Sequence, residues 1–307
     1  MALPDDFVDL QVNGYFGADF NADDLSAEAL HKACVRLKAD GNAGILATII
    51  TAELDVMCSR LQRLVRLRAA DDLVSELIWG IHIEGPFINE IPGYVGAHPP
   101  AAVRPADVDA AERLLAATDG LTRIVTLAPE RDPGLEVTRR LADQGITVSA
   151  GHCNPSLDEL EAAIQAGLSM FTHLGNGCPM LLDRHDNIIQ RALGLAQSLW
   201  LCFIADDVHV PCVALANYLG VAGIDRCIVV TDAIAAAGLG PGTYSIGSQA
   251  VEVDENLVAR IPGEYSHLAG SAVTMPRSVE NLREVLGLTE SEVGSLTSLN
   301  ARQLLRV

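Results

Sequence analysis

The stretch GIHIEGP, residues 80–86, decides the fold class because an apolar strand pattern ends there on a charged side chain, Glu84. Three later stretches repeat this pattern: VSAGHC at 148–153, FTHLGNGCP at 171–179 and VVTDA at 229–233. The residues at the four strand ends that bind metals or carry protons are Glu84, His152, His173 and Asp232. Polar groups at the ends of successive buried strands are how a parallel β/α barrel builds an active site. The four stretches therefore predict a metal-dependent hydrolase.

The composition favours one large domain. The chain has 307 residues, 49% of them hydrophobic, and a single β/α barrel commonly takes about 250 residues. Residues 1–307 are therefore interpreted as one catalytic domain. The formal net charge of −19 argues against a nucleic-acid-binding protein, which would need a basic face. An anionic substrate would need a local cluster of Arg or His to overcome the overall repulsion.

The location of the protein is predicted from targeting signals and cysteines. The start of the chain, MALPDDFVDLQVNG, has no basic segment before its short apolar run, and no apolar stretch is long enough to cross a bilayer. The seven cysteines are scattered, and none lies in a CxxC pair, which is typical of free thiols in a reducing compartment. We therefore expect a cytoplasmic protein that binds neither membrane nor nucleic acid.

Strand-like and helix-like segments alternate along the chain. The predicted strands are Phe7–Val12, Ile45–Ile50, Ile78–Ile83, Arg123–Leu127, Thr147–Ala150, Ser169–His173, Trp200–Ala205 and Cys227–Thr231. The predicted helices between them are Ser26–Asp40, Leu54–Ala70, Pro105–Ala117, Leu135–Gln144, Leu157–Ala166 and Val210–Leu219. Eight strands separated by helices predict an α/β fold of the (β/α)8 TIM-barrel type. An open doubly wound sheet is the alternative, although no GxGxxG motif follows the first strand.

The pattern changes after Asp232. Residues Tyr244–Arg260 read as an exposed hairpin whose turn is Asp254-Glu255-Asn256. Two helices are predicted after it, at Ala272–Leu286 and Thr289–Leu304. The second begins with a capping box, because Thr289 is followed three residues later by Glu292.

The residues alone leave alternatives open at each position of the predicted site. Two His and one carboxylate leave an open position on Zn²⁺ for water, which is the catalytic arrangement. Glu84 could instead pair with an Arg at the barrel mouth, and a single strand His is often a core residue. His82 points to the same side of its strand as Glu84, so it could be a metal ligand or could orient Glu84 through a hydrogen bond. Asp232 could carry protons or cap a following helix.

With these motifs the chain resembles the N-acetylglucosamine-6-phosphate deacetylase family of the amidohydrolase superfamily. The resemblance runs from about Val8 to the end of the chain. Its landmarks are VDLQVNG (8–14), GIHIEGPFI (80–88), GAHPP (96–100), TLAPE (126–130), VSAGHCNPS (148–156), THLGNGCP (172–179), IADDVHV (204–210), VTDA (230–233) and LAGSAVTM (268–275). So many matches in one order are highly specific to this family.

The resemblance implies a role for each matching residue. Glu84, His152 and His173 match the metal ligands, and Asp232 matches the catalytic acid/base. His98 matches a catalytic residue that contacts the substrate and helps polarise the acetyl carbonyl. The residues matching the binding site for the sugar phosphate are Asn176, Gly177, Arg184 and His209. In the family the Arg reaches across from the other subunit of a homodimer.

Two departures from the family pattern qualify these expectations. Many relatives carry His-x-His where this chain has Gln11-Val12-Asn13, and because an amide is a poor zinc ligand we expect one divalent metal per chain, Zn²⁺ first and Fe²⁺ or another metal as the alternative. The family usually also has a β-sandwich flanking the barrel, which we expect to be absent here. The missing sandwich leaves the substrate and the packing of subunits more open than the chemistry.

The resemblance thus implies hydrolysis of the N-acetyl group of an amino-sugar phosphate, which releases acetate and the free amine. A first alternative is a deacetylase for a different or unphosphorylated N-acyl amino sugar. A second is an inactive sugar-phosphate-binding protein, which the intact set of four strand-end residues argues against. The fold alone decides none of these.

Overall fold

The computed structural model describes residues 6–263 and 267–307. The predicted domain, 1–307, and the start of the chain on which the targeting prediction rests include residues 1–5, which lie outside the described residues, as do residues 264–266. The strands are β1 Phe7–Val12, β2 Gly14–Tyr15, β3 Ala18–Asp19, β4 Asn42–Ile50, β5 Ile78–Glu84, β6 Thr122–Leu127, β7 Thr147–Ala150, β8 Leu168–Phe171, β9 Trp200–Ile204, β10 Cys227–Val230, β11 Gly242–Ile246, β12 Gln249–Val253 and β13 Ala259–Arg260.

Helices lie between successive strands of the barrel, and the remaining helices follow the last strand. The α-helices are α1 Ala27–Ala39, α2 Leu54–Ala69, α3 Asp72–Leu77, α4 Val108–Ala117, α5 Glu136–Asp143, α6 Leu157–Gln165, α7 Ile188–Gly194, α8 Cys212–Ala222, α9 Met275–Glu280, α10 Glu290–Gly294 and α11 Asn300–Leu305. Short 3-10 helices cover Pro100–Ala102, Pro129–Arg131, Pro133–Leu135, Ala196–Ser198 and Ile224–Arg226, and π-helical turns cover Asn281–Val285 and Ser295–Leu299. No helix of the described ranges is long and apolar enough to cross a membrane.

Eight strands form one parallel sheet that curves into a barrel, in the order β1-β4-β5-β6-β7-β8-β9-β10. The two end strands, β1 and β10, meet at a seam without a continuous ladder. A parallel bridge joins Val12 to Ala233, and the Asn13 amide donates to the Ala233 carbonyl at 2.7 Å. The Asp9 carboxylate crosses the same seam and accepts from the Thr231 hydroxyl at 2.5 Å and from the Thr231 amide at 3.2 Å. The predicted (β/α)8 barrel is confirmed, and the open doubly wound sheet is wrong.

The alternation of side chains along the strands divides the core into two layers. On β5, Ile81 and Ile83 belong to the large cluster between the barrel and its surrounding helices. The alternate residues His82 and Glu84 bond to Leu10 and Gln11 of β1, and Glu84 also bonds to His173 after β8, so they lie inside the barrel. A smaller apolar cluster, which includes Leu10 and Ile228, fills the interior elsewhere. His82 and Glu84 thus enter the barrel interior as part of a hydrogen-bonded network.

The sequence pattern missed two helices, α3 and α7. Each is six or seven residues long, too short to show a clear helical period. Their N-caps are nevertheless conventional, because Asp71 and Asn187 each accept a backbone N–H of the first turn. The capping box of Thr289 and Glu292 is confirmed, with both reciprocal bonds present.

The predicted hairpin at Tyr244–Arg260 is wrong in its first half. The segment is a three-stranded antiparallel sheet, β11–β13, and the predicted turn at residues 254–256 lies between its second and third strands. An earlier turn at Gly247, whose φ is +59°, divides the first predicted strand. One face of the sheet is buried, including Ile246 and Val251. Within the described residues, this sheet and the small β2–β3 hairpin are the only strands outside the barrel.

Candidate active site

The four strand-end residues lie at the same end of the barrel. Glu84 is the last residue of β5, and His152, His173 and Asp232 each follow their strand by two residues. These three residues have φ values of 50°, 32° and 52°, a left-handed conformation that is uncommon for residues other than glycine. Such strain persists only where the surrounding structure enforces it, and it clusters at functional sites.

Glu84 is the centre of the cluster. Its Oε1 lies 2.9 Å from His173 Nε2 and 3.3 Å from His152 Nε2, and all three side chains are buried. Burial opposes ionisation of Glu84, but the hydrogen bonds from the two His residues outweigh it and hold the pKa of Glu84 well below its usual range. The structure thus brings together the three residues predicted as metal ligands, around a buried negative charge.

His98 lies against this cluster. Because His98 is in a loop, the strand pattern by itself did not predict this position. Its Nε2 is 3.2 Å from His152 Nε2, and its Nδ1 is 2.8 Å from the Thr51 hydroxyl. Possible ligand atoms of Glu84, His98 and His152 all lie within 4.8 Å of one another. Burial lowers the pKa of His98 to about 3, so the ring is neutral. The residue expected at the acetyl group is therefore also within reach of a metal at this position.

The donor set fits a divalent metal ion. His152 Nδ1 lies 2.8 Å from the Tyr94 carbonyl, which can only accept, so Nδ1 carries a proton and Nε2 is the ring nitrogen directed toward the cluster. A ligating His held in this way by a carbonyl is the usual support of a metal site. Imidazole nitrogens with one carboxylate also make up the catalytic zinc sites of several hydrolases.

Two glycines leave room for the His152 ring. A Cβ atom on Gly96 would lie 2.9 Å from His152 Cε1, and one on Gly177 would lie 2.9 Å from Nδ1. Both glycines have positive φ values. Gly177 was predicted at the sugar-phosphate loop, whereas Gly96 was missed, although its place two residues before His98 in GAHPP was a visible signal.

Asp232 faces the amides that stand in the His-x-His position. Its Oδ1 accepts from Gln11 Nε2 at 3.0 Å and from Asn13 Nδ2 at 2.7 Å, and Gln11 also donates to Glu84 at 3.1 Å. Burial, and next the negative charge of Glu84, raise the pKa of Asp232 to about 6. No helix begins within residues 233–241, so Asp232 is not a helix cap.

The amides of Gln11 and Asn13 direct donors, not lone pairs, toward the two carboxylates. Their own oxygens are buried without a partner among the described residues. Because a carboxylate only accepts, it fixes the amide orientation with nitrogen toward it. The amide N–H groups thus lie against the carboxylates of Glu84 and Asp232 and offset their negative charge. They leave no preformed second set of metal ligands there.

His82 supports the floor of the site and does not contact Glu84 through a hydrogen bond. Its Nδ1 is 3.0 Å from the Leu10 carbonyl, and its Nε2 is 2.7 Å from the Thr126 hydroxyl. Thr126 continues the chain to Thr172 at 2.7 Å, and Thr172 to Ser149 at 2.7 Å. Burial lowers the pKa of His82 to about 4, which keeps the ring neutral. With both ring nitrogens occupied, His82 belongs to a hydroxyl layer beneath the cluster.

The residues predicted at the sugar phosphate are placed differently from one another. Asn176 donates to the His173 carbonyl at 3.2 Å, so it lies beside the cluster. His209 is bound by Asp206, with Nδ1 2.6 Å from Oδ2. Arg184 is exposed on the loop between β8 and α7, and it makes no hydrogen bond or ion pair within the part of the chain that is described. Arg184 and His209 therefore share no hydrogen-bond partner among the described residues.

The proteins similar to this chain include three sugar-phosphate deacetylases, while no protein-family model matches the chain. The N-acetylglucosamine-6-phosphate deacetylase of Bacillus subtilis is 33% identical over 306 residues, covering 98% of this chain and 74% of that protein. The N-acetylgalactosamine-6-phosphate deacetylase of Escherichia coli O157:H7 is 29% identical over 301 residues, covering 98% and 77%. A solved variant of N-acetyl-D-glucosamine-6-phosphate deacetylase from Mycobacterium smegmatis, in complex with N-acetyl-D-glucosamine-6-phosphate, is 30% identical with a TM-score of 0.89, covering 99% and 78%.

Proposed function

The chain belongs to the N-acetylglucosamine-6-phosphate deacetylase family of the amidohydrolase superfamily, and from this premise we propose that it hydrolyses N-acetylglucosamine 6-phosphate to glucosamine 6-phosphate and acetate. The observation that carries the proposal is the meeting of Glu84, His152, His173 and Asp232 at one end of the barrel. A carboxylate with two imidazoles can hold a catalytic metal ion, and a separate buried acid can move the protons that hydrolysis of an amide involves.

The cofactor of the proposal is one divalent metal per chain, with Zn²⁺ as the first choice and Fe²⁺ as the alternative. Glu84, His152 and His173 would hold it, with His98 adjacent. When bound, such an ion polarises a carbonyl and makes water a nucleophile at neutral pH. The limit of one ion is supported by Gln11 and Asn13, whose amide nitrogens face the carboxylates.

Asp232 is the proposed proton carrier. It would accept a proton from the attacking water and then deliver it to the nitrogen of the leaving amine. Its raised pKa of about 6 suits a group that must both gain and lose a proton near neutral pH. Asn13 and Gln11 hold one oxygen, Oδ1, which leaves Oδ2 for the reacting groups. His98, buried beside His152, is proposed to contact the acetyl oxygen.

The sugar itself has a second candidate. N-acetylgalactosamine 6-phosphate differs only at one hydroxyl carbon, and the Escherichia coli relative is named for it at nearly the same identity as the glucosamine relatives. Both substrates carry the same acetamide and the same phosphate. The chemistry proposed above therefore applies to either sugar.

An amine-release assay tests the proposal. Purified protein would be given N-acetylglucosamine 6-phosphate, N-acetylgalactosamine 6-phosphate and unphosphorylated N-acetylglucosamine, and its metal content would be measured in parallel. We expect fastest release from the glucosamine phosphate with close to one metal per chain. Fastest release from the galactosamine phosphate would change the sugar, and no release from any of them by metal-loaded protein would refute the deacetylase reaction.

A homodimer is proposed as the working unit, in which Arg184 reaches the site of the second copy. The support is the exposed loop that carries Arg184, because Met180 and Leu181 on it are 98% and 92% exposed. Such apolar exposure on a monomer is typical of a surface that another chain covers. The cytoplasm is proposed as the location, and the seven free cysteines support it.

A further inference from the structure

A buried acid–histidine pair follows β9 at the same end of the barrel as the cluster. The Asp206 carboxylate accepts three hydrogen bonds: from the Val208 amide at 2.9 Å, the His209 amide at 2.8 Å and His209 Nδ1 at 2.6 Å. The two side chains are only 9% and 5% exposed. Burial opposes ionisation of Asp206, but the bonds from His209 and the backbone outweigh it and lower the pKa of Asp206.

The pair constrains the chemistry of the His209 ring. An ionised carboxylate only accepts, so His209 Nδ1 must carry a proton, and Nε2 is the nitrogen left for another partner. The ring is also near enough to Asp232 to act on it electrostatically. After burial and the charges of Glu84 and His173, a positive charge on His209 is the next influence on Asp232, and it favours the ionised form and lowers the pKa of Asp232.

The two oxygens of the Asp206 carboxylate have different hydrogen-bond partners. Oδ1 holds the turn through two backbone amides, whereas Oδ2 contacts only the His209 ring. A turn-forming Asp would need only the first set of bonds. The second bond orders the ring at a cost in conformational entropy that a purely structural turn would not require.

We infer that Asp206 is a positioning residue that holds His209 Nε2 toward the phosphate of the substrate, and that it thereby sets the preference for phosphorylated over unphosphorylated amino sugars. This inference rests on the proposed function and names the residue behind its phosphate specificity. Asp206 acts through His209 and does not touch the reacting atoms.

Asp207 provides a matched control. It carries the same charge one position along, is exposed, and its Oδ1 accepts from the Cys212 amide at the start of α8. It makes no hydrogen bond to His209 in the described structure. Asp206→Asn keeps an oxygen for the two backbone amides and removes the charge that faces the ring, so the turn is retained.

The test compares kcat and KM of Asp206→Asn, Asp207→Asn and His209→Gln on N-acetylglucosamine 6-phosphate and on N-acetylglucosamine. For Asp206→Asn we expect KM for the phosphorylated substrate to rise roughly tenfold or more, as for the loss of a charge-assisted bond. The change with the unphosphorylated analogue should be much smaller. Adding Asp206→Asn to His209→Gln should have little further effect, because the two residues act as one unit.

Calorimetric titration with inorganic phosphate measures the same loss without catalysis and applies even if the deacetylase reaction is not found. Weaker phosphate binding by Asp206→Asn than by Asp207→Asn, at equal thermal stability, is the expected result. Equal losses on both substrates, equal effects of the two Asp variants, or additive effects with His209→Gln would each overturn the inference. If the wild-type protein had equal activity on N-acetylglucosamine 6-phosphate and on N-acetylglucosamine, the phosphate part of the proposed function would be overturned as well.

Discussion

His152, His173 and Asp232 occupy backbone conformations that cost about 1–3 kcal/mol each for residues other than glycine. Such conformations persist where neighbouring atoms allow the side chain only one orientation. His152 is the clearest example, because the Tyr94 carbonyl binds its Nδ1 and two glycines lie against its ring. The orientation of this ring therefore depends on neighbours that are not themselves predicted metal ligands.

Gly177→Ala should weaken metal binding through His152. The new methyl group would lie 2.9 Å from Nδ1, so the ring must leave the position in which its Nε2 lies 3.3 Å from Glu84. We expect the affinity for Zn²⁺, measured by chelator competition, to fall at least about tenfold, as for loss of a group that orients a ligand. Gly287→Ala is the control, because Gly287 has a similar φ of +69° with no atom within 4 Å of the added Cβ. Equal metal affinity in the two variants would contradict the proposed clash.

Asp232→Asn should separate proton transfer from metal binding. The substitution removes the carboxylate that would carry the proton, while none of the three proposed ligands is altered. Turnover should fall at least about a hundredfold, the usual contribution of a general acid/base. Metal content, measured on the same sample, should stay close to that of the wild type. Near-full activity on the best substrate would leave Asp232 with a structural role only.

At the scale of elements, the seam between β1 and β10 brings Gln11 and Asn13 to Asp232. Backbone pairing there is limited to the bridge at Val12, and the Asp9 side chain supplies the acceptors that a ladder would supply. A carboxylate in this position is costly to ionise. Burial raises the pKa of Asp9 to about 7, although the bonds from Thr231 and Gln11 act in the opposite direction.

Asp9→Asn should flatten the pH dependence of stability. Because the pKa of Asp9 is raised in the folded chain above the unfolded value of about 3.9, the folded state binds its proton more tightly. The contribution to stability is therefore full below about pH 4 and is lost as the pH rises to about 7. Urea unfolding between pH 4.5 and about 7.5, with chelator present, should show this fall reduced in the variant. The exposed Asp24→Asn should keep the wild-type slope, and an unchanged slope in Asp9→Asn would mean that Asp9 ionises normally.

The sheet β11–β13 connects the small β2–β3 hairpin to the loop that carries His98. The Asp19 carboxylate, at the end of β3, accepts from the Ser245 hydroxyl at 3.1 Å and from the Gly247 amide at 2.8 Å. On the next strand, Gln249 donates to the carbonyl of Ala97, the neighbour of His98. The sheet is thus a support for the loop that carries a predicted catalytic residue.

At the scale of the whole molecule, a net charge of −19 has to be reconciled with an anionic substrate. Within one chain, His209 is held by Asp206, but Arg184 is exposed and unpaired among the described residues. A guanidinium offers a planar pair of donors that matches phosphate oxygens. A second copy that supplies Arg184 would complete the positive cluster.

Arg184→Ala should therefore raise KM for the phosphorylated substrate roughly ten- to a hundredfold, with a much smaller effect on the unphosphorylated analogue. Mixing it with Asp232→Asn should restore part of the activity, because one site of the mixed dimer then has both groups intact. Strong loss without rescue, in a mixture shown to exchange subunits, would place Arg184 in the site of its own chain. Equal losses on the two substrates would remove its phosphate role.

Local patterns in the sequence were enough for much of this architecture. Burial and strand alternation are properties of a few consecutive residues, so all eight barrel strands and the positions of Glu84, His152, His173 and Asp232 at their ends were predicted. The capping box at Thr289 is also a local signal, complete within four residues. Parallel strands place their ends on one side of a barrel, which is why strand-end residues far apart in sequence were expected to meet.

Tertiary structure alone decided how these residues are held. Asp9 and Thr231 are 222 positions apart, and no local pattern records that they meet at the barrel seam. The place of His98 depends on the path of a loop, and the need for Gly96 appears only once the His152 ring lies beside it. Periodicity determines which face of an element is buried, whereas distances across the barrel depend on how all eight strands and their loops close together.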